Sequence, residues 1–378
     1  MKKKIKILVT SIGSLVGQNI QDVLEYPNFR RRENVELIGT NSIPACPNNF
    51  RCDRCYIVPN TNTQEFKEVL IQILLKEKPD LILSGRDEDT ETVAVLLENH
   101  KEILGKLPYG KSITLRYALN KWETWKFCEQ YNLPFASTFV IGKSGGLDEL
   151  KAFSEKYEYP LIAKPIQGYA SKGVFFVRNW KEAVLISEYK DYMFQEYLGD
   201  GSSLAKYFAQ MNGLIPLFAH VPDVFHHSCH TVINPDGSFD PVFISRNEHD
   251  SGVTVGFKKV DNPVLEKLTI NFIHALYNEG GFGPVTVQFR EDKFGNWKAQ
   301  EMNIRTNGNT FPRFLMGQDD IGLIIKSVLP EIDFPIYNVK EETKQFVIGK
   351  ILTSYIMLPN EIAELKETKS WNATERKS

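Results

Sequence analysis

Val285-Thr-Val-Gln-Phe289 and Ala299-Gln-Glu-Met-Asn-Ile-Arg305 lie on either side of the turn-like Glu291-Asp-Lys-Phe-Gly-Asn296. Two short strand-like runs about such a turn read as a β-hairpin. Alternation then sets Glu301, Asn303 and Arg305 on one face of the second strand, with Gln288 facing them from the first. One carboxylate between two amide oxygens suits a hard divalent cation, Mg²⁺ or Mn²⁺. An arginine just beyond suits the phosphate that such a cation carries. Neither strand face carries a lysine, whereas an ordinary solvated face mixes charges freely.

Upstream, Gly168-Tyr-Ala-Ser-Lys-Gly173 joins two predicted strands, residues 161–166 and 173–177, so it is not the strand-to-helix loop of a Walker motif. Its Gly168, Ser171, Lys172 and Gly173 give the composition of a flap whose backbone N–H groups can close over phosphates. Lys164 sits inside the first of these apolar strands, directly before Pro165. A lysine there must reach water or meet an anion. Lys121 opens a predicted helix over residues 122–131, where it opposes the helix dipole unless a phosphate lies nearby. Either lysine alone has a structural explanation. Together with the flap and the hairpin they point to phosphate.

The first ~110 residues alternate strand and helix as in a parallel sheet. Strands are expected at 5–10, 35–39 and 80–84, an amphipathic helix at 63–76 and another from Asp87. The turn at 11–17 has two glycines but lacks the G-x-G-x-x-G fingerprint, which argues against a dinucleotide site. Further on, the texture becomes α+β, and residues 192–198 open a last subdomain. The expected organisation is 1–111, 112–190 and 191–360, followed by a fraying polar tail at 361–378.

Composition is that of a soluble globular protein, with 42% hydrophobic and 24% charged residues. A net charge of −2 gives no reason to expect nucleic acid or an anionic membrane as partner. The lysine-rich start is followed by too short an apolar run for a signal peptide, which indicates a cytoplasmic protein. Five cysteines show no disulfide framework. Cys52-Asp-Arg-Cys55 has the gap of half a zinc site but no second half, and reads as a loop leading into a strand at Tyr56.

These motifs, in this order, resemble the ATP-grasp enzymes, in particular the carbamoyl-phosphate-synthase large subunit and similarly built carboxylate–amine ligases. The resemblance spans roughly residues 4–330 and implies mixed α/β and α+β architecture. It implies an ATP-grasp fold behind an N-terminal Rossmann-like, parallel-sheet subdomain. Lys121 and Lys164 resemble the nucleotide lysines. Gln195, Glu196, Tyr197 and Leu198 look like the hinge that reads adenine. Gln288, Glu301 and Asn303 match the metal ligands, while Arg246 matches an arginine facing the transferred phosphate and Arg305 a phosphate or substrate arginine. Arg86, Asp87 and Glu88 are similar to a substrate-facing loop.

The chain departs from the pattern after the hinge. Asp200 is the candidate for the ribose. The strand and turn expected next fit either residues 205–213 or 230–237. Gly237 stands at the better distance before Arg246, which makes 202–227 an insertion. That region ends in His226-His-Ser-Cys-His230. Alternation puts His226, Ser228 and His230 on one strand face. Such a cluster reads as a wall of the acceptor pocket, through His226 and His230 with Tyr207, Phe208, Phe218 and Phe225 in support, or as a satisfied polar strand; a zinc site would need ligands from elsewhere.

The resemblance implies ATP and Mg²⁺ (or Mn²⁺) as cofactors, with small-molecule carboxylate and amine substrates, ADP formation and a C–N bond as product. A homodimer is compatible with it. A carbamoyl-phosphate-type synthase and a non-catalytic nucleotide-binding module are the alternatives. The single ATP-grasp unit without a glutaminase segment weighs against the first, and the complete Glu301, Asn303, Arg305 set against the second.

Overall fold

The computed structural model describes residues 4–168, 171–199, 201–211, 214–218, 225–250, 253–337, 347–351 and 353–373. The N-terminal unit runs β1 (Ile5–Thr10), α1 (Leu15–Glu25), β2 (Val35–Asn41), β3 (Arg54–Ile57), α2 (Gln64–Glu77), β4 (Leu81–Ser84) and α3 (Asp87–Asn99). Strands β1 to β4 pair in parallel. Leu8 and Ile38 face α2 and α3, while Ile5, Ile7 and Val9 face the opposite way. Burial on both faces explains why these strands are apolar runs rather than alternating ones. Helix α2 starts at Thr63, whose hydroxyl accepts the Phe66 N–H at 3.1 Å. Cys55 falls inside β3, not before it. Both Cys52 and Cys55 are buried, and burial pushes the Cys52 thiol up to about 12.

Two helices, α4 (Ser112–Leu119) and α5 (Lys121–Gln130), lead into the central unit of β5 (Thr138–Phe139), α6 (Leu147–Tyr157), β6 (Leu161–Pro165), β7 (Phe175–Val177), α7 (Trp180–Ser187), β8 (Tyr192–Glu196) and α8 (Ala205–Gln210). The central sheet has the order β5-β8-β6-β7. The large sheet follows, from β9 (Phe225–Ile233), β10 (Phe243–Asp250), β11 (Val253–Lys259), α9 (Pro263–Asn278), β12 (Gly283–Glu291) and β13 (Trp297–Asn303). After α10 (Thr310–Leu315) and α11 (Asp320–Val328) come β14 (Val347–Gly349), α12 (Pro359–Thr368) and β15 (Ser370–Asn372). The large sheet has the order β13-β12-β9-β10-β11-β14.

Three expected boundaries move. Strand β8 belongs to the central sheet, so the break at 190/191 falls one strand too early. Helices α4 and α5 pack with α9 under the large sheet through Leu115, Phe127, Phe272 and Val285, while Trp122 of α5 also packs against Met193 of the central sheet. The tail does not fray where described. β15 pairs antiparallel with β3, and Trp371 is buried against Phe50 at 5.4 Å between ring centroids. Polar composition misled because one face of α12–β15 carries the few apolar groups, Leu365 and Trp371, that the docking needs.

The N-terminal unit is joined to the C-terminal one by a shared core. Ile5, Val9 and Ile20 meet Phe314, Ile321 and Ile325. Within this contact Arg31 Nη1 donates to Asp319 Oδ1 at 3.0 Å, both side chains fully buried. The two surfaces that border the groove described below are thereby held together. No helix among the described residues is long and apolar enough to cross a membrane.

Candidate active site

The hairpin forms as its sequence suggests, with Gln288 opposite Glu301 and Thr286 opposite Asn303. A register shift at Gln288/Phe289 inserts Gln300 as an extra residue. Val287, Phe289, Ala299 and Met302 therefore all reach the core. The same shift turns Lys298 onto the site face, so the expected absence of lysine there does not hold. Lys298 is committed elsewhere, to Glu196 at 2.8 Å and Asp292 at 3.2 Å. Burial works against its charge, but these two carboxylates outweigh it and raise the Lys298 pKa.

Gln288, Glu301 and Asn303 line the large groove, and none of their side chains forms a hydrogen bond or ion pair among the described residues. One free carboxylate beside two free amide oxygens fits Mg²⁺, which takes few protein carboxylates and completes its shell with water and phosphate.

Lys164 is buried between the central sheet and this hairpin. Its Nζ donates to Gln195 Oε1 at 2.7 Å and to the Gln300 carbonyl at 3.3 Å. Burial, with Lys121 beside it, lowers its pKa to about 7, although Glu301 pulls the other way. Gln195 accepts from Lys164 and donates to Thr138 Oγ1 at 3.1 Å, so it holds the lysine in place. Glu196 accepts the Ser137 N–H at 2.7 Å and pairs with Lys298, which ties the central sheet to the hairpin. Tyr197 and Leu198 then leave the sheet.

These residues enclose a cleft of about 90 Å³, lined on its apolar side by Ile162, Val174, Leu198 and Phe218 and on its polar side by Lys121, Lys164, Arg290 and Glu301. Lys121 Nζ donates to the Gly168 carbonyl at 2.8 Å, across the mouth of the flap. Gly168, Ser171 and Lys172 line the cleft. Gly173 does not. It has φ +70°, and a Cβ there would come within 2.7 Å of the Tyr192 hydroxyl, so it serves the turn. Asp200 lies outside the described residues.

A groove of about 820 Å³ opens from the cleft; Gly168, Ser171, Lys172, Phe218, Gln300 and Glu301 border both. Its far wall is the N-terminal unit. Arg86, Asp87 and Glu88 line it, as expected, along with Ser14 and Leu15 at the start of α1. Ser14 Oγ donates to the Gly85 carbonyl at 2.9 Å and so fixes this loop to α1. Arg305 reaches across from beyond β13 and pairs with Asp87. Burial opposes the Arg305 charge, but Asp87, with Tyr109 and Glu301, more than offsets that and raises its pKa.

Arg246 is not in the site. In β10, Ser245 and Asn247 flank Arg246 and are both buried, and Asn247 pairs in register with His226, which lines the groove. Arg246 alternates with them onto the opposite face, is exposed, and stacks over Phe225 at 4.2 Å. Of the two stretches weighed after the hinge, residues 205–210 are helical, whereas residues 230–233 lie in β9 and Gly237 turns with φ +87°.

The histidines divide. His226 lines the groove, with its ring 4.4 Å from that of His249. Burial, with His249 and Arg290 adding to it, lowers its pKa well below the ordinary value, so it is neutral. His230 is turned inward. Its Nε2 lies 3.0 Å from Asp320 Oδ1 and its Nδ1 2.8 Å from Thr286 Oγ1, fully buried. It belongs to a network with Arg313 and Asn307, not to the pocket wall. Tyr207 and Phe208 likewise pack on Phe176 in a satellite core, leaving Phe218 as the aromatic that reaches both cavities. Sequence reading missed Arg290, Lys298, His249, Asn309 and Lys350. Each owes its position to strand register or to a distant loop.

No protein-family model and no curated protein matches the sequence. Solved structures do. The ADP complex of an N5-carboxyaminoimidazole ribonucleotide synthetase superposes with TM-score 0.63 at 15% identity, over 90% of this chain and 80% of that one. The chain has the ATP-grasp fold. An L-amino acid ligase from Bacillus licheniformis gives TM-score 0.59 at 15% identity, over 90% of this chain and 79% of that one. The biotin carboxylase domain of a Hydrogenobacter thermophilus 2-oxoglutarate carboxylase, a dimer with MgADP and bicarbonate, gives 0.63 at 13% identity, over 92% and 73%. At these identities the likeness establishes the fold.

Proposed function

We propose that this chain is an ATP-dependent, ADP-forming ligase that joins a carboxylate to an amine through an acylphosphate. The observation that carries the proposal is the continuity of the two cavities. The small cleft opens into the large groove where Glu301, Lys172 and Ser171 border both. A nucleotide with its base against Leu198, Val174 and Phe218 presents its terminal phosphate at that junction. ADP, ATP and MgADP in the related solved structures support the assignment of this cleft to the nucleotide.

In the first step a carboxylate oxygen of the substrate attacks the terminal phosphorus, and the bond to the ADP oxygen breaks. In the second, the amine nitrogen attacks the acyl carbon, phosphate leaves, and the amine loses a proton. Lys164, in its ammonium form, holds the phosphates from inside the cleft, and Lys121 and the flap cover them. Arg305, fixed by Asp87, faces the transferred group. A divalent cation on Glu301, Gln288 and Asn303 would neutralise phosphate charge during transfer. Positioning and charge suffice for such chemistry, so no nucleophilic side chain is needed.

The test is ADP release across mixtures of amino acids and simple amines, with hydroxylamine added to trap the acylphosphate as a hydroxamate. The expected result is substrate-dependent ADP release with hydroxamate in equal amount. Substrate-dependent ADP release without hydroxamate removes the acylphosphate. No MgADP binding by calorimetry removes the nucleotide site itself.

A further inference from the structure

Lys350 stands just after β14, which among the described residues is an edge strand that reaches the large sheet through its pairing with β11. Its N–H donates to the Val255 carbonyl at 3.1 Å. Its side chain crosses to the loop after β13, where Nζ donates to Asn309 Oδ1 at 2.7 Å and to the Gly308 carbonyl. Both partners are neutral. Among the described residues no carboxylate pairs with it, although Lys298 has two and Arg305 has one. Burial, with Arg313 nearby, lowers its pKa to about 8, so it remains mostly charged at neutral pH. A half-buried cation held by two neutral oxygens retains an uncommitted N–H and an unneutralised charge.

Where that charge faces decides its use. Lys350 lines the large groove and has no part in the nucleotide cleft, whose own cations are Lys121, Lys164, Lys172 and Arg290. The same groove is lined by Ser228, His226 and Thr254, all capable of donating a hydrogen bond, and by the carboxylates Asp87, Glu88, Glu91 and Glu301, of which Asp87 is paired with Arg305 and Glu91 with Arg116. We propose that Lys350 is a specificity residue: it docks an oxyanion, carboxylate or phosphomonoester, carried by a substrate in the groove and distinct from the group that is phosphorylated. This rests on the ligase reading. The preferred substrate therefore carries one anionic group more than the chemistry requires.

Three measurements test it. In the ADP-release assay, substrates bearing a spare carboxylate or phosphate are compared with the same compounds as amides or as dephosphorylated alcohols. The wild type should favour the charged members, and which series responds identifies the anion. Lys350→Met should raise the KM for charged members at least tenfold and leave the KM for ATP unchanged, while Lys350→Arg restores most of the loss. Separately, inorganic phosphate and acetate are titrated against the protein with its lysines labelled by reductive ¹³C-methylation. The resonance lost in Lys350→Met should shift with one of the two anions while MgADP is bound. Equal use of charged and neutral members, or equal loss of ATP and acceptor affinity in Lys350→Met, overturns the proposal. A shifted resonance without any ADP release would instead retain the anion subsite and remove the ligase reading.

Discussion

Replacing Lys164 by methionine probes the nucleotide cleft from its most buried charge. In the free protein the Lys164 pKa is lowered to about 7 by burial, reinforced by Lys121. Phosphate beside the ammonium favours the protonated form, so the pKa rises on binding and nucleotide binding takes up a proton. Half the free protein carries the ammonium at pH 7 and about a tenth at pH 8, so the Kd for MgADP should rise about fivefold, roughly 1 kcal/mol. MgADP is the better ligand, because its phosphates are already ionised across this range. Calorimetry in two buffers of different ionisation enthalpy reads both the affinity and the proton uptake. Lys164→Met should bind more weakly by roughly 1.5–3 kcal/mol, the scale of a hydrogen bond from a charged group, and lose the pH slope. Stability without nucleotide moves the other way. The folded pKa, about 7, lies below the ordinary 10.5. The unfolded chain then binds more protons between these values. The penalty for the buried charge is complete below the folded pKa and disappears as pH rises through that window. At pH 7 the methionine variant should therefore be more stable by about 1 kcal/mol or more, after the loss of the bonds to Gln195 and Gln300. A variant that melts lower, binds MgADP as the wild type does and keeps its pH slope refutes the reasoning.

Glu301→Ala should abolish ADP release and the divalent-cation dependence of nucleotide binding while leaving the melting temperature in place; retained turnover excludes the hairpin as the metal site. Arg246→Ala, on the opposite face of β10, should keep kcat and both KM values within about twofold, and a large loss in kcat would return it to the site. Asp320→Ala leaves Arg313 buried without its carboxylate and should lower stability by roughly 3–5 kcal/mol in chemical denaturation, an effect absent if the pair is dispensable.

The proposed nucleotide and metal residues were legible in the sequence because their pattern is local. Lys164 before Pro165, the flap after it, and Glu301 two positions from Asn303 carry their geometry in strand alternation alone. The errors arise where alternation needs a second strand to orient it. Arg246 and His230 each occupy a real strand position, but only the pairing of β10 with β9 and of β9 with β12 shows which way each points. Lys298 reached the site through a bulge that no residue type announces. Lys350 lies 41 positions from Asn309, and its role depends on an edge strand of three residues. No periodic signal could have joined them.

The antiparallel pairing of β15 with β3 has a consequence for biosynthesis. A ribosome delivers Arg54–Ile57 early and Ser370–Asn372 more than three hundred residues later. At ordinary elongation rates of 5–20 residues per second, roughly 15–60 s separate the two. Throughout that interval the outer edge of β3 has no strand beside it, and the pocket for Trp371 next to Phe50 stays open. An unpaired edge next to vacant apolar surface is a site for pairing with another nascent chain. Chaperone occupancy should therefore persist on the first unit well after its four parallel strands have been made, and fall only when the last helix and strand leave the exit tunnel.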